Sequence, residues 1–147
     1  MLEKLVVKIL KVDTNAIVPK YAHEGDAGVD LFSVEDYSLS PGETRVIRTG
    51  LKMEISIGYE MQVRPKSGLA AKYEITVLNS PGTIDAPYRG EVGVILINHG
   101  QDTYEVKTGE KIAQGIFTKV ENADFVEVQE LSETVRGSGG FGSTGST

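Results

Sequence analysis

The chain has 147 residues, a net charge of −6 and no cysteine, which indicates one domain with a sizeable core and excludes disulfides and thiol catalysis. Two histidines disfavour a zinc site, so any metal should be a hard, oxygen-bound ion such as Mg²⁺, and the negative charge opposes binding to a nucleic-acid polymer. No apolar stretch is long enough to span a membrane, and residues 1–10 carry charges within their apolar pattern, so we expect a cytoplasmic protein that binds no membrane.

Short β-strands dominate the sequence pattern. Apolar and polar residues alternate in several segments, and glycine or proline turn signals separate these segments, as is typical of sandwiches and barrels. The pattern predicts strands over residues 5–10, 29–33, 44–47, 51–55, 59–64, 75–78, 92–97, 104–107, 111–118 and 125–129. Residues 94–97 are apolar without alternation, so we expect this strand to be covered on both faces.

One helix is predicted, over residues 67–73, with Ser67 as its N-cap and with leucine and alanine residues that favour it. The predicted fold is therefore an all-β, jelly-roll-like sandwich or barrel with one short helix. We expect residues 1–135 to form the β domain and residues 136–147 to form a flexible, glycine-rich arm.

The first polar loop, residues 25–31, leads into a strand and carries two carboxylates. Asp26 lies in the turn, where an aspartate bonds its own backbone, so a structural role is the simpler interpretation. Asp30 stands between Val29 and Leu31, where β propensity disfavours a carboxylate, and we therefore favour a functional role for it.

Two further segments place polar groups beside predicted strands. Residues 64–70 bring cations, the Ser67 hydroxyl and free N–H groups to the start of the helix, which suits an anion; an ordinary N-cap with solvated neighbours is the alternative. In residues 109–115, Gln114 is a neutral donor among apolar neighbours, although an exposed strand glutamine is the commoner case.

Residues 79–90 form a long hairpin that two prolines and two glycines make stiff, which suits the wall of a binding pocket. Asp85 can act as a general base there, because a carboxylate within hydrogen-bond reach of a water can take its proton. Tyr88 can pack flat against a sugar or base, and the alternative is a tyrosine that closes the turn onto the core.

The last twelve residues consist of Arg136, Phe141 and otherwise only glycine, serine and threonine. Such a segment buries too little surface to order itself, so the unbound arm should be mobile. Backbone N–H groups without side chains can nevertheless wrap an anion, while Arg136 adds charge and Phe141 a flat ring, a set that suits a nucleotide. The alternative is a frayed terminus or a cloning remnant, which needs neither residue.

Five segments, taken together and in this order, resemble the motifs of the trimeric dUTP pyrophosphatases. They are residues 26–31, 65–70, 82–90, 109–114 and 136–145. The resemblance implies a jelly roll, in agreement with the strand pattern. It also implies a homotrimer in which each active site draws residues from three chains.

The resemblance implies Mg²⁺-dependent hydrolysis of dUTP to dUMP and pyrophosphate by in-line attack of water on the α-phosphorus, which removes dUTP and supplies dUMP for thymidylate synthesis. Asp85 would position and deprotonate that water, and Asp30 would hold the metal indirectly, through ordered waters. Arg136 and the arm would close on the outer phosphates while Phe141 stacks on uracil. The substrate-binding positions implied are Lys66, Ser67, Gly68, Asn79, Gly82, Thr83, Ile84, Tyr88, Gln114, Arg136, Gly140, Phe141 and Gly142.

Specificity would follow from the hairpin. The resemblance implies that backbone groups there recognise uracil and leave no room for the methyl group of thymine, while the tyrosine face rejects a ribose 2′-hydroxyl. Asn79 and Tyr88 match those places.

Lys66 departs from the family, which usually has arginine there. Lysine keeps the charge but loses the bidentate fork, and nearby Arg64 is a candidate to compensate.

Two other functions are alternatives to this interpretation. A dCTP deaminase, or a bifunctional deaminase and pyrophosphatase, shares the related fold but needs a glutamate as acid/base near the pyrimidine, and no equivalent stands beside the Asp85 hairpin. A sensor that binds dUTP without turnover belongs to a different class. Intact Asp85, Arg136 and Phe141 argue against it.

Overall fold

Nearly all of the regular structure is β in the computed structural model, which describes residues 3–146. Within these residues the strands are β1 (Lys8–Lys11), β2 (Val29–Phe32), β3 (Tyr37–Leu39), β4 (Thr44–Glu54), β5 (Tyr59–Arg64), β6 (Ile75–Val77), β7 (Gly82–Asp85), β8 (Glu91–Asn98), β9 (Tyr104–Val106) and β10 (Lys111–Lys119), and the helix is α1 (Ser67–Tyr73). The prediction of a mostly β fold with one short helix is confirmed. The described helix is too short and too polar to cross a membrane.

Two four-stranded antiparallel sheets enclose one hydrophobic core. Their strand orders are β1-β4-β8-β6 and β2-β10-β5-β7, and β3 pairs with β9 in a separate two-stranded ladder. Because side chains alternate between the faces of a strand, each sheet contributes every second residue to the core. The fully buried side chains include Leu31, Ile47, Met61, Leu96 and Ile112. The inner face of the sheet β2-β10-β5-β7 therefore packs against the core. The polar segments lie at the ends of its strands, which we call the rim of the sheet.

Strand predictions succeed best where alternation is strong. The prediction over residues 59–64 coincides with β5. The two strands predicted over residues 44–47 and 51–55 are one strand, β4, because a register shift between Arg48 and Lys52 absorbs Gly50 without ending the pairing with β8. Two short strands, β3 and β7, were not predicted, since three or four residues show too little alternation to recognise.

Three detailed predictions were wrong. Residues 125–129 form no strand and are exposed, because the chain has left the sheet after Lys119 and its backbone lacks a neighbouring strand there. Ser67 is not the N-cap: extended Lys66 occupies that position without a side-chain cap, and Ser67 is already helical. In β8, Val94 and Leu96 are buried whereas the intervening residues are half-buried, so the strand is covered fully on one face only.

Candidate functional site

Three of the predicted polar segments meet on one rim of the sheet β2-β10-β5-β7. Asp30 of β2 lies opposite Gln114 of β10, and Gln114 lies opposite Arg64 of β5. Directly paired residues project to the same face of a sheet, so these three side chains share a face. The antiparallel pairing of distant segments therefore brings residues 25–31, 64–70 and 109–115 together.

Asp30 interacts with two lysine side chains at this rim. Lys66 Nζ donates a hydrogen bond to Asp30 Oδ1 at 2.5 Å, and Lys111 Nζ lies 3.4 Å from Oδ2. Burial alone would raise the pKa of Asp30, but the hydrogen bond and charge of Lys66 and the charge of Lys111 outweigh it, so the pKa lies below its usual value. Asp30 is thus an ionised carboxylate with only 17% of its side chain exposed.

Lys111 reaches Asp30 because of an irregularity in β10. The pairing register between β10 and β2 shifts between Lys111 and Ala113, and such a bulge re-aims the side chains beside it. Sequence reasoning missed Lys111. A bulge leaves no signal in the apolar–polar pattern, although the cation at the start of a strand that follows a Gly-Glu turn was visible.

Gln114 links the segment of residues 25–31 to the segment of residues 64–70. Its Nε2 donates a hydrogen bond to the carbonyl oxygen of Pro65 at 3.0 Å. On its other side the amide covers Gly28, where an added Cβ would lie 2.6 Å from Gln114 Oε1. Gln114 is half-buried and engaged rather than free in solvent, so it positions the strand end that precedes Lys66 and Ser67.

A surface cavity of about 260 Å³ lies beside this rim. Its lining residues are Lys66, Gly68, Leu69, Lys72, Tyr73 and Lys111. Ser67 itself is exposed at the start of α1, next to the cavity in the chain. Lys72 and Tyr73 were not predicted as site residues. A lysine and a tyrosine at the end of a helix are usually exposed to solvent and give no sign of a binding role.

The hairpin of residues 79–90 is a separate part of the candidate site. Its strand β7 pairs with β5, with Gly82 opposite Val63 and Asp85 opposite Glu60. Gly82 is buried, since an added Cβ would lie 3.2 Å from Asn79 Nδ2 and 3.3 Å from the Val63 side chain. The structure therefore holds residues 82–85 on a firm ladder, with Ile84 half-buried and Thr83 exposed.

Asp85 and Tyr88 are held in one turn, as the stiff hairpin predicts. The Tyr88 N–H donates to the carbonyl oxygen of Asp85 at 3.0 Å, and the Tyr88 hydroxyl donates to the Glu91 carbonyl oxygen at 2.9 Å. The tyrosine ring lies over Gly90, where a Cβ would come within 2.5 Å of it. Tyr88 thus closes the turn but remains 45% exposed.

Within one chain, the hairpin of residues 79–90 lies far from Asp30. Arg64 and Glu60 are four residues apart on β5, which is roughly 13 Å, and β2 and β7 are three strand spacings apart, roughly 14 Å. Asp30 and Asp85 therefore lie about 20 Å apart within the chain. The two parts of the site are on opposite edges and at opposite ends of the same sheet.

The described arm makes its hydrogen bonds within residues 134–145. Arg136 Nε donates a hydrogen bond to the Gly139 carbonyl oxygen at 2.8 Å, and the Ser143 N–H donates to that of Gly140 at 3.2 Å. Phe141 is fully exposed with a left-handed backbone, and Gly142 is also left-handed. Of the arm residues predicted to bind substrate, Arg136, Phe141 and Gly142 are exposed to solvent and Gly140 is half-buried.

A preformed metal cage is not part of the described site: no group of three or more His, Cys, Asp or Glu side chains within residues 3–146 has the arrangement to hold an ion. Mg²⁺ retains several waters and usually binds one or two carboxylates together with substrate phosphates. Asp30 is a single ionised carboxylate next to two lysines that attract phosphate. The residues present fit a magnesium ion that arrives with a polyphosphate and keeps its waters.

Comparison with known proteins gives a consistent result. A sequence model of the dUTPase family matches residues 14–145. The chain is 57% identical over 139 residues to the deoxyuridine 5'-triphosphate nucleotidohydrolase of Picosynechococcus sp., covering 95% of this chain and 98% of that protein. It is also 57% identical to the protein of the same name from Clostridium acetobutylicum, covering 95% of this chain and 96% of that protein.

Solved structures show the same similarity. The dUTPase of Staphylococcus bacteriophage 80alpha with dUPNHPP has a TM-score of 0.90 to this chain at 28% identity, covering 96% of this chain and 99% of that one. A mutant dUTPase of phage phi11 of S. aureus, studied for its coordination of a structural Mg(II) ion, has a TM-score of 0.82 at 25% identity, covering 87% of this chain and 99% of that one.

Proposed function

The chain belongs to the dUTPase family and is a hydrolase that acts on deoxyuridine triphosphate, and we propose that it converts dUTP to dUMP and pyrophosphate by attack of water on the α-phosphorus. The observation that carries the proposal is the place in the sheet at which Asp30, Lys66 and Gln114 meet, because it unites the segment that would hold the metal with two of the segments that would bind phosphates according to the family resemblance. This activity removes dUTP and supplies dUMP.

The hairpin supplies the proposed base and the pyrimidine slot. Asp85 is exposed at the end of β7, where a water held by its carboxylate can attack a bound phosphate. Gly82, Thr83 and Ile84 stand on the β5 ladder, so a base that hydrogen-bonds to their backbone meets a wall that cannot give way to an extra methyl group. Asn79 and Tyr88 flank that wall and are proposed to contact the deoxyuridine.

Phosphate binding is assigned to the opposite rim. Lys66, Ser67 and Gly68 offer an ammonium group, a hydroxyl and backbone N–H groups, and Gln114 holds the strand end that carries them. Asp30 is proposed to hold a magnesium ion through its waters, and that ion, when bound, neutralises phosphate charge and orients the triphosphate. Arg136, Gly140 and Gly142 are proposed to close on the outer phosphates, with Phe141 on the uracil face.

The same geometry supports the proposal of a homotrimer with shared active sites. Asp85 must act at the α-phosphorus and Lys66 at the outer phosphates of one nucleotide, which are only a few ångströms apart. Within one chain the two rims are separated by about 20 Å. We therefore propose that a complete site combines the hairpin of one copy with the Lys66 segment of another, and that the arm of residues 136–146 reaches the site of a neighbouring copy.

The decisive experiment measures pyrophosphate release with dUTP, dTTP, dCTP and UTP side by side, for the unaltered protein and for Asp85→Asn. We expect turnover of dUTP alone, and a loss of about 10²- to 10⁴-fold in kcat for Asp85→Asn with dUTP binding retained. Asp102→Asn, in the loop between β8 and β9, is the matched control and should keep its activity. Normal rates for Asp85→Asn would remove this residue as the base, and ammonia released from dCTP would favour a deaminase.

A further inference from the structure

An ion pair next to the hairpin has no part in the roles assigned above. Arg48 of β4 and Glu91 of β8 are hydrogen-bonded to each other, and Glu91 follows Tyr88 by three residues. We propose that this ion pair positions the Tyr88 ring, and that it thereby sets how strongly the site rejects a nucleotide with a ribose 2′-hydroxyl. The inference rests on the proposed function, in which Tyr88 contacts the deoxyuridine. It makes Arg48 and Glu91 positioning residues, since neither is expected to touch the nucleotide.

The Tyr88 ring is held at two points. Its hydroxyl donates a hydrogen bond to the Glu91 carbonyl oxygen at 2.9 Å, and its ring lies against Gly90, where an added Cβ would collide with the ring and its hydroxyl. The ring therefore keeps its position only while the backbone of Glu91 keeps its own. Steric rejection of a 2′-hydroxyl needs a wall that does not move aside, so this backbone bears on the choice of sugar.

Regular sheet pairing does not hold the backbone around Glu91 by itself. The register between β4 and β8 shifts between Arg48 and Lys52, and Gly50 in this bulge has a left-handed backbone. A bulge leaves backbone groups of the longer strand without ladder partners. Here the Gly50 N–H donates instead to Glu91 Oε2 at 3.3 Å. The Glu91 carboxylate thus replaces a missing ladder bond at the point where β8 begins.

Arg48 holds that carboxylate with two parallel hydrogen bonds. Its Nε donates to Glu91 Oε2 at 3.0 Å, and its Nη2 donates to Oε1 at 3.2 Å. A bidentate pair of this kind fixes the orientation of the carboxylate as well as attracting it. The Glu91 side chain is 25% exposed and that of Arg48 is about half exposed, so we expect a contact of moderate strength that solvent partly screens.

The other side of the guanidinium group is anchored as well. Arg48 Nη1 lies 3.5 Å from Asp13 Oδ2, and Asp13 Oδ1 accepts a hydrogen bond from the Asn15 N–H at 2.8 Å. Because Asp13 is itself held by its own turn, the guanidinium group is fixed on two sides before any nucleotide binds. A continuous series of contacts therefore connects Asp13 to the Tyr88 hydroxyl.

Loss of the ion pair should reduce discrimination between sugars more than it reduces activity. Without Arg48 the Glu91 carboxylate can turn toward solvent, the start of β8 gains freedom, and the Tyr88 ring can move aside for a 2′-hydroxyl. A deoxyribose does not press against the ring, so kcat/KM for dUTP should change little. A substitution that merely loosened the fold would instead lower activity toward dUTP and UTP alike.

The test measures kcat/KM for dUTP and for UTP with the full-length protein, using a high protein concentration for UTP, and the dissociation constants of dUMP and UMP by titration calorimetry. In Arg48→Met the preference for the deoxyribonucleotide should fall about five- to tenfold in both measurements, as expected for the loss of about one hydrogen bond. Arg48→Lys keeps the charge and should restore part of the preference. Arg45→Met is the matched control and should keep it fully, because Arg45 is on the same strand and its side chain is equally exposed, at 48%.

A second cycle of variants links the effect to the tyrosine. Tyr88→Phe removes only the hydroxyl and should lower the preference by a similar factor, and Arg48→Met in that background should add little. Full additivity, an unchanged preference in Arg48→Met, or an equal loss in Arg45→Met would overturn the proposal. If a thermal melt shows that Arg48→Met does not fold, Glu91→Gln decides in its place and should show the same fall, since its amide oxygen can still accept from the Gly50 N–H.

The outcome is separable from that of the proposed hydrolysis. Protein that leaves dUTP intact would refute the hydrolysis, and an Arg48-dependent preference for dUMP over UMP in that protein would still uphold the role of the ion pair. Active protein whose preference does not depend on Arg48 would do the reverse.

Discussion

Gly28→Ala should damage substrate binding while leaving the fold nearly as stable as before. The added Cβ would lie 2.6 Å from Gln114 Oε1 and 3.3 Å from the Ile116 side chain. The closer contact is with the far end of a flexible side chain, so the glutamine should swing away and leave the strands in place. It would then lose its hydrogen bond to the Pro65 carbonyl oxygen, and the strand end that carries Lys66 and Ser67 would lose its tether.

The two effects on stability nearly cancel. The lost hydrogen bond costs about 0.5–1.5 kcal/mol, and alanine in place of glycine returns about 0.4–1 kcal/mol by restricting the unfolded chain, since Gly28 does not need a left-handed backbone. The melting temperature should therefore move by only a few degrees. If Gln114 positions the phosphate-binding segment, KM for dUTP should rise about tenfold, which corresponds to roughly 1.4 kcal/mol.

A double-mutant cycle tests this reasoning. Gln114→Ala should raise KM by a similar amount, and Gly28→Ala in the Gln114→Ala background should add little, because the side chain that it displaces is already gone. Steady-state kinetics with dUTP and thermal melts of all four proteins measure both quantities. A normal KM in Gly28→Ala, or fully additive effects in the double variant, would show that the contact between Gly28 and Gln114 does not position the site.

Three further outcomes are expected. Deleting residues 136–147 should leave a folded trimer with little activity, and mixing and reassembling it with Asp85→Asn should restore part of the activity; an unchanged kcat after deletion would make the arm a spacer. Phe141→Trp should report a non-hydrolysable dUTP analogue by fluorescence, since the chain has no tryptophan, and silence would place the ring elsewhere. The Thr108 N–H and hydroxyl hold the pKa of Asp36 below its usual value, so its contribution to stability is present above the unfolded pKa of about 3.9 and is lost as pH falls through the folded value. Urea midpoints between pH 6 and pH 3 should fall less for Asp36→Asn than for the unaltered protein, and parallel curves would contradict this.

The parts of the fold that could be predicted from the sequence are those in which local pattern and tertiary environment agree. In β5 the alternation of residues 59–64 coincides with burial of Met61 and Val63, so the pattern was sufficient. Asp30 was recognisable because β propensity disfavours a carboxylate between apolar strand residues. Residues 125–129 show the reverse case: the same kind of pattern forms no strand, because no neighbouring strand within the described chain pairs with it.

The composition of the candidate site was less predictable, because it depends on pairing register. The five motifs indicated which segments are functional, but Lys111 enters the Asp30 rim through a register shift, and Lys72 and Tyr73 enter through the position of α1 beside β10. The separation of Asp85 from Asp30 also depends on strand order, which no local pattern contains. Sequence reasoning therefore identified the segments, and the structure identified their neighbours.

The contacts of Asp30 give a physical reason for a lysine rather than an arginine at position 66. An arginine there would offer two parallel N–H groups and tends to occupy both oxygens of a carboxylate. Lys66 is a single point charge and takes only Asp30 Oδ1, which leaves Oδ2 to Lys111. One carboxylate therefore holds two separate ammonium groups, and each of them can turn toward a phosphate without breaking a bidentate pair. Lys66 and Lys111 are best understood together, as two cations that share one anchor.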